Sequence, residues 1–432
     1  MISEQLRVLL NQELLGTITL HGQRDRYELE YAPSWLDGQG FAISPHLKPG
    51  ACQSETTKRF LANLLPEGKW LDDLSIDNQI SKNNIFALIA VLGRETTGAL
   101  TFQFNDAPPK SIPTTFRPVT RIELQERISR RQQISIARWD DRPRLSVAGI
   151  QDKLPLLIRK NGEMGFGEGD LASTHILKLG KRQDMHMVVN EYLCMELARR
   201  VNLPVARVAL KRFGEPVLLV ERFDRRWNVD RVERLHLIDG CQMLDLPPTY
   251  KNERPFGKSG EGAVIRTGAS LPQLFAACRQ CRIPAVAIRD LLNWTLFQLL
   301  ISNNDAHGKN ISFFVGKNGI DVAPAYDLIN IDIYGDEYDQ DLAMAVGDAF
   351  RCDDIFSYQL AEMCEECHLR QRQVANSLKD IGNAMLKALD TLPLDTVLIE
   401  GELLFSQKLL DMIKDNTTRF LSLAEELPHV RL

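Results

Sequence analysis

Three acidic or amide side chains, Asp305, Asn310 and Asp327, stand at spacings that suit phosphoryl transfer. That chemistry asks little covalent help of a protein; it asks for positioning and for neutralisation of phosphate charge. Asp305 would accept the proton of an attacking hydroxyl and aim it, which is general-base work for a carboxylate within hydrogen-bond reach. Asn310 offers a neutral carbonyl oxygen and Asp327 a carboxylate, both hard oxygen ligands suited to Mg²⁺ carried in on ATP. His307 and Lys309 lie in the same loop, Asp305-Ala306-His307-Gly308-Lys309-Asn310, and join Asp305 as candidate catalytic residues.

The elements around the loop must hold these groups still. The apolar run Leu291–Ile301 reads as a helix feeding it, and Ile311–Val315 as the strand leaving it. Gly316–Gly319 makes a turn, and Val322–Tyr326 returns the chain to Asp327. Protein kinases place a catalytic Asp and a metal-binding Asn five residues apart, then bring a second Asp from a downstream strand. Here Asp305 and Asn310 are five apart, and Asp327 follows Asp305 by 22. The form Asp-x-His-x-x-Asn looks more like the phosphatidylinositol-kinase branch than the His-Arg-Asp of typical protein kinases. The bland alternative is an Asx-rich surface turn that ends a helix.

A nucleotide needs a second set of groups. Lys178 closes the strand Thr174–Lys178 and suits the α and β phosphates, with Glu191 or Asn190 as its helix partner. Three segments compete for the phosphate loop. Gly257-Lys258-Ser259 fails the full P-loop pattern because the position five before Gly257 is Asn252. Gly165–Gly169 carries Glu168 beside Asp170, whose charge repels phosphate, so it reads as a hairpin turn. The favoured segment is Ser146–Lys153, in which Val147, Ala148, Gly149, Ile150, Gln151 and Asp152 would present backbone N–H groups as an anion nest and Lys153 would add charge. Leu237–Gln242 falls where a hinge between lobes belongs, with backbone groups near Ile238 and Gly240 facing the adenine edge.

Composition bounds the rest. A chain of 432 residues suffices for two or three domains, and 44% hydrophobic with 25% charged residues is ordinary for a globular protein. A net charge of −5 argues against a chain dominated by nucleic-acid contact. No apolar run approaches ~18 residues and the N-terminus lacks an apolar leader, so a cytoplasmic protein with no membrane partner is expected. The run Arg117–Arg144 holds eight arginines against four acids and reads as a solvated, mobile linker, with phosphate-backbone contact as the sharper alternative. Two CxxC pairs, Cys278/Cys281 and Cys364/Cys367, lie in stretches that read as helix, Leu271–Arg282 and Tyr358–Leu378. Buried thiols are therefore expected over a zinc site.

Three regions emerge: residues 1–107, β-rich at first, with strands at 6–10, 15–20 and 27–31 and helices near 58–65 and 85–92; residues 108–242, with strands at 153–158, 174–179, 205–210 and 216–221 around a helix at 187–201; and residues 243–432, mostly helical. Pro108–Pro113 marks the first boundary. The expected fold class is α+β: a bilobal protein kinase-like fold with a β-rich N-terminal subdomain and a helical C-lobe.

Six segments in order resemble the HipA-type serine/threonine kinase toxins of bacterial toxin–antitoxin modules: Ser146–Lys153, Ser173–Lys178, Asn190-Glu191, Glu221–Arg225, Asn304–Asn310 and Ala325–Leu328. Asn63–Glu67 and Gly93–Gly98 are similar to that family's N-terminal subdomain. The resemblance implies MgATP as cofactor and transfer to a serine or threonine of a translation component, such as the aminoacyl-tRNA synthetase glutamate–tRNA ligase, which stalls growth. It also implies autophosphorylation on Ser146, a helix-turn-helix antitoxin of the HipB type, and operator DNA reached through that antitoxin. A catalytically silent co-repressor is the alternative from a different class. A lipid or small-molecule kinase is a third, for which no basic amphipathic membrane-binding helix speaks.

Overall fold

The computed structural model describes residues 3–22, 25–50, 52–93, 96–105, 113–136, 138–140, 142–143, 152–180, 186–394 and 397–432. The chain separates into two compact units: unit 1 takes Met1–Lys181, Lys211–Ile238 and Phe314–Gly319, and unit 2 the remainder.

Unit 1 opens with an antiparallel sheet of order β3-β2-β1-β4, formed by β1 (Ser3–Leu10), β2 (Glu13–His21), β3 (Arg26–Tyr31) and β4 (Leu100–Phe104). Strict alternation in β3 buries Tyr27, Leu29 and Tyr31 and exposes the residues between, as period-2 patterning requires. Four helices lie between β3 and β4: α1 (Pro33–Asp37), α2 (Ser54–Leu64), α3 (Lys69–Asn78) and α4 (Ile85–Leu92). The expected strands and the α2 and α4 regions are present; α1, α3 and β4 were not anticipated.

A second antiparallel sheet follows in unit 1. It contains β5 (Thr115–Pro118), β8 (Lys153–Ile158), β9 (Met164–Glu168), β10 (His175–Leu179), β11 (Val208–Arg212) and β12 (Pro216–Glu221), in the order β11-β12-β10-β8-β9-β5. Helix α5 (Arg121–Ser129) and the short pair β6 (Arg138–Trp139) and β7 (Arg142–Pro143) lie between β5 and β8. Leu154, Leu156, Leu177 and Leu179 face a core with Trp139, Phe166, Leu124 and Ile128. Alternation therefore sends Lys153 and Lys178 to the opposite face. Strand β11 (Val208–Arg212) returns the chain to unit 1, and β13 (Arg225–Asn228) pairs with β14 (Arg231–Arg234).

Two expectations change here. Gly165–Gly169 is no hairpin turn: residues 164–168 are strand β9, hydrogen-bonded to β5 and β8. Nor is 117–144 a mobile linker over its described part. Thr120 caps α5 through a bond from the Glu123 N–H, and Leu124 and Ile128 anchor that helix in the core. Arg117 makes a two-point bond to Glu123 (3.0 and 2.6 Å), Arg127 stacks 4.7 Å from the Trp139 ring, and Arg121 stacks on Phe213. The charges decorate one side of a helix whose other side is buried. The Pro108–Pro113 boundary falls almost wholly outside the described residues.

Unit 2 is mainly helical: α6 (Met187–Arg200), α7 (Gly240–Met243), α8 (Leu271–Cys278), α9 (Pro284–Leu300), α10 (Ser357–Glu366), α11 (Gln371–Asp390) and α12 (Glu400–Glu426). Leu291, Leu296 and Phe297 of α9, Leu378 and Met385 of α11, and Leu409, Ile413 and Phe420 of α12 form its interior. Strand β15 (Leu237–Asp239) leads into α7; β16 (Ser312–Gly316) and β17 (Gly319–Val322) follow α9, and β18 (Asp341–Val346) pairs with β19 (Ala349–Arg351). The four CxxC thiols are buried, but neither stretch is one continuous helix: α8 stops at Cys278. The second is broken at His368, whose φ of +55° ends α10, with Leu369 N–H bonded to Cys364 O. Among the described residues no helix is long and apolar enough to cross a membrane, and no cluster of metal-ligand side chains of the His, Cys, Asp and Glu types forms.

Candidate active site

Helix α9 ends in a Schellman cap that aims the chain into the Asp305 loop. Ser302 takes a left-handed backbone (φ +51°), its N–H donates to Leu299 O (3.1 Å), and Asn303 N–H donates to Gln298 O (2.9 Å). The loop then tightens on itself. His307 N–H donates to Asp305 O (2.8 Å) and Asn310 N–H to His307 O (2.8 Å), while the Asn310 side-chain NH₂ donates to Asp305 O (2.8 Å). That last bond fixes the Asn310 amide, so its carbonyl oxygen is the end left for a ligand. Asp305 itself is exposed, whereas His307, Gly308, Lys309 and Asn310 are buried.

Asp327 arrives on a return segment anchored at Ala325. Ala325 N–H donates to Pro204 O (2.8 Å) and Ala206 N–H to Ala325 O (2.9 Å). The Tyr326 hydroxyl donates to Lys309 O (2.8 Å), tying that segment to the loop. Asp327 takes φ +54°, unusual for a non-glycine residue, and its carbonyl accepts from the Asn303 side chain (3.2 Å). Loop and Asp327 are thus brought together within unit 2.

Lys309 Nζ, on a buried side chain, lies 2.6 Å from Asp239 Oδ2 in an ion pair. Asp239 also caps α7, accepting the Gln242 N–H at 2.8 Å. Both backbone groups of Gly240 are engaged, its N–H by Ile311 O (2.9 Å) and its carbonyl by Leu244 N–H (3.0 Å). A Cβ on Gly240 would sit 2.4 Å from Gly308 O, so a glycine is required for α7 to pack on the loop. Ile238 is fully buried in β15. Asn190 is committed elsewhere: its amide brackets the Asn330 backbone, donating to Asn330 O (2.8 Å) and accepting Asn330 N–H (3.0 Å). Glu191, beside it, is buried.

In unit 1, register places Lys178 of β10 directly opposite Lys153 of β8, and each is only 5% exposed. Asp152, just before, accepts the Leu179 N–H through its backbone carbonyl (3.0 Å). Ser146, Val147, Ala148, Gly149, Ile150 and Gln151 lie outside the described residues. Lys258, of the rejected P-loop segment, pairs at the surface with Asp339 (2.6 Å).

The Glu221–Arg225 segment proves structural. Asp224 is buried between Arg222 (3.0 and 2.9 Å) and Arg225 (2.6 Å), and accepts Gly98 N–H at 3.2 Å. Burial alone would raise this carboxyl's pKa, but the two guanidinium charges and these bonds override it and hold the group well below the usual carboxylate range. Arg225 reaches on to Gly98 O (2.9 Å). Sequence reasoning missed Asn303, Gln298, Asp239 and Tyr326 as supports of the site; only the position of Asn303 and Gln298 at a helix end hinted at them.

Comparison with known proteins agrees with this architecture. A family model described as the HipA N-terminal domain matches residues 6–103, and one described as the HipA-like C-terminal domain matches 145–389. The serine/threonine-protein kinase toxin HipA of Shewanella oneidensis is 39% identical, over 89% of this chain and 88% of that protein. The putative kinase Y4mE of Sinorhizobium fredii is 31% identical over 73% and 75%. The fold superposes on the solved Shewanella oneidensis complex of HipA, HipB and operator DNA with a TM-score of 0.87 at 37% identity, covering 99% of this chain and 100% of that one. With both family domains present and in order around the Asp305 loop, the chain belongs to the HipA family of serine/threonine-protein kinase toxins.

Proposed function

We propose that this kinase uses MgATP to phosphorylate a serine or threonine of a translation component, an aminoacyl-tRNA synthetase such as glutamate–tRNA ligase, and so halts growth. The observation that carries the catalytic part is the Asp305 loop: an exposed carboxylate on a buried, self-bonded turn, with Asn310 locked to Asp305 O. Asp305 orients the attacking hydroxyl and takes its proton. The donor set fits a hard divalent cation, since Asp327 supplies a carboxylate and Asn310 an amide oxygen whose NH₂ is already engaged. When bound, Mg²⁺ supplies charge neutralisation at the transferring phosphoryl group. Lys178 and Lys153 take the nucleotide's phosphates. Set opposite each other across β10 and β8, the two lysines bring two positive side chains to one face, which suits a multiply charged anion. Glu191 remains the candidate partner for Lys178. The 146–151 segment completes the phosphate loop, and the adenine edge falls near Ile238. The Asp-x-His-x-x-Asn form supports the phosphatidylinositol-kinase-like branch of the fold. Lys309, engaged by Asp239, acts by holding the loop.

Autophosphorylation on Ser146 would add about −2 charges beside the phosphate loop and switch the enzyme off. The relative solved with HipB and operator DNA supports a HipB-type antitoxin as partner and, through it, operator DNA. Incubation with labelled ATP and Mg²⁺, followed by mass spectrometry, tests these assignments. Label on Ser146 that disappears in Asp305→Gln supports kinase and self-inactivation together. A Ser146→Ala protein that still labels itself in cis removes the assigned site, and ATP binding without incorporation favours a silent co-repressor.

A further inference from the structure

The geometry points to Asn303 and Gln298 as a buried amide relay that positions Asp327 for its cation, an inference resting on the metal role proposed for Asp327. Asn303 is 2% exposed and Gln298 4%. The Asn303 NH₂ donates to both Gln298 Oε1 (2.8 Å) and Asp327 O (3.2 Å). A carbonyl can only accept, so Asp327 O fixes which end of Asn303 faces it; Gln298 must then turn its oxygen toward the same NH₂. This choice leaves Asn303 Oδ1 and Gln298 Nε2 buried without partners among the described residues. Stability alone would favour aliphatic side chains at both positions, because an unmet buried polar atom costs more than an apolar one. What the pair secures is Asp327, held at φ +54°, a conformation that persists only where its surroundings over-determine it. The same Asn303 residue closes the cap of α9 through its N–H, so one residue sets both the entry to the Asp305 loop and the backbone of Asp327.

Asn303 is thus a positioning residue, acting through Asp327 rather than on substrate. The test is Mn²⁺ binding followed by electron paramagnetic resonance, in the presence of a non-hydrolysable ATP analogue. Outer-shell partners of metal ligands typically change affinity by about 10- to 100-fold. Asn303→Ala is expected to raise the Mn²⁺ concentration for half-saturation at least about tenfold, and to raise the Mg²⁺ requirement of phosphotransfer in parallel. Gln298→Met, which keeps the volume and removes the acceptor together with the NH₂ that has no partner among the described residues, is expected to move it in the same direction by less. It also decides the matter if Asn303→Ala does not fold. Asp327→Asn separates the two layers of the argument. If it abolishes Mn²⁺ binding while the relay variants bind like the parent, the relay is overturned and the metal role stands. If Asp327→Asn binds Mn²⁺ unchanged, the metal role fails and the relay with it.

Discussion

Unit 1 and unit 2 hold their key segments by opposite means. In unit 1, Asp224 joins Arg222, Arg225 and Gly98 in a buried, fully charged clasp that binds the 222–225 turn to a segment 126 residues earlier. In unit 2, neutral groups hold the Asp305 loop and the segment around Asp327: Asn303 with Gln298, Asn304 with Gln340 (3.1 Å), Asn190 with Asn330, and Tyr326 with Lys309 O. The physical reason lies in what each must not disturb. A cation buried against Asp327, the carboxylate proposed for the metal, would compete with that metal, whereas amides fix backbone direction and leave the local charge unchanged. In unit 1, a charged clasp trades desolvation for strong, directional bonds. At the loop itself the Lys309–Asp239 pair is charged, and its charges cancel one another.

This contrast predicts that damage to the two regions separates activity from stability. Asp305→Asn should lower phosphotransfer by about 10²- to 10⁴-fold, the usual worth of a positioned general base. The melting temperature should barely move, because the side chain is exposed. Steady-state kinetics beside a thermal melt checks both, and a large fall in melting temperature would give Asp305 a structural role instead. Asp224→Ala should do the reverse. It strands two buried guanidinium groups and should cost about 3–5 kcal/mol in denaturant unfolding, with kcat retained while the chain is folded.

The Asp224 contribution also has a pH signature. Its folded pKa is depressed, so the stabilisation is complete above the ordinary carboxylate range and is lost as pH falls through and below it. Asp224→Asn should flatten that acid limb. His236 gives a second limb at higher pH. Burial pushes its pKa down to about 4, against the opposing pull of the Ile43 carbonyl at 2.8 Å. The unfolded chain then binds more protons between the ordinary histidine value of about 6.5 and 4. Stability should be full above pH 6.5 and fall by ~3 kcal/mol on acidification to pH 4. His236→Gln should remove this slope between pH 7 and 5, and an unchanged slope would place its origin elsewhere.

How much of this was legible depended on distance along the chain. The Asp305 loop is written in six adjacent residues, and its helix and strand supports announce themselves by apolar periodicity. The helix was nonetheless read as starting at Leu291 rather than Pro284, because Arg289 and Asp290 interrupt the apolar pattern of its first turns. The Thr96–Gly98 and Arg222–Arg225 segments stood out separately, yet nothing in sequence pairs positions 126 residues apart. Asn303 and Gln298 were passed over because a buried amide has no periodic signature; its value appears only once its partner is a strained carbonyl. The arginine run misled for the opposite reason, since eight arginines drew attention from the two buried apolar residues, Leu124 and Ile128, that make α5 a core helix.

The smallest expected effect probes whether the clasp works by charge or by close fit. Gly98 has φ +77°, and a Cβ there would lie 2.9 Å from both Leu237 N and Leu237 O, which are backbone atoms that cannot swing away. Gly98→Ala should therefore cost about 1–3 kcal/mol from backbone strain, without removing any charged group. Displacing this residue also pulls its N–H from Asp224 and its carbonyl from Arg225, so part of the loss passes through the ion network. A double-mutant cycle with Asp224→Asn isolates that part. Residues sharing one network couple, so Gly98→Ala should cost less when combined with Asp224→Asn than when made alone. Strict additivity would mean that the glycine serves only its own turn, and that the clasp holds by charge irrespective of how closely the 96–98 segment approaches.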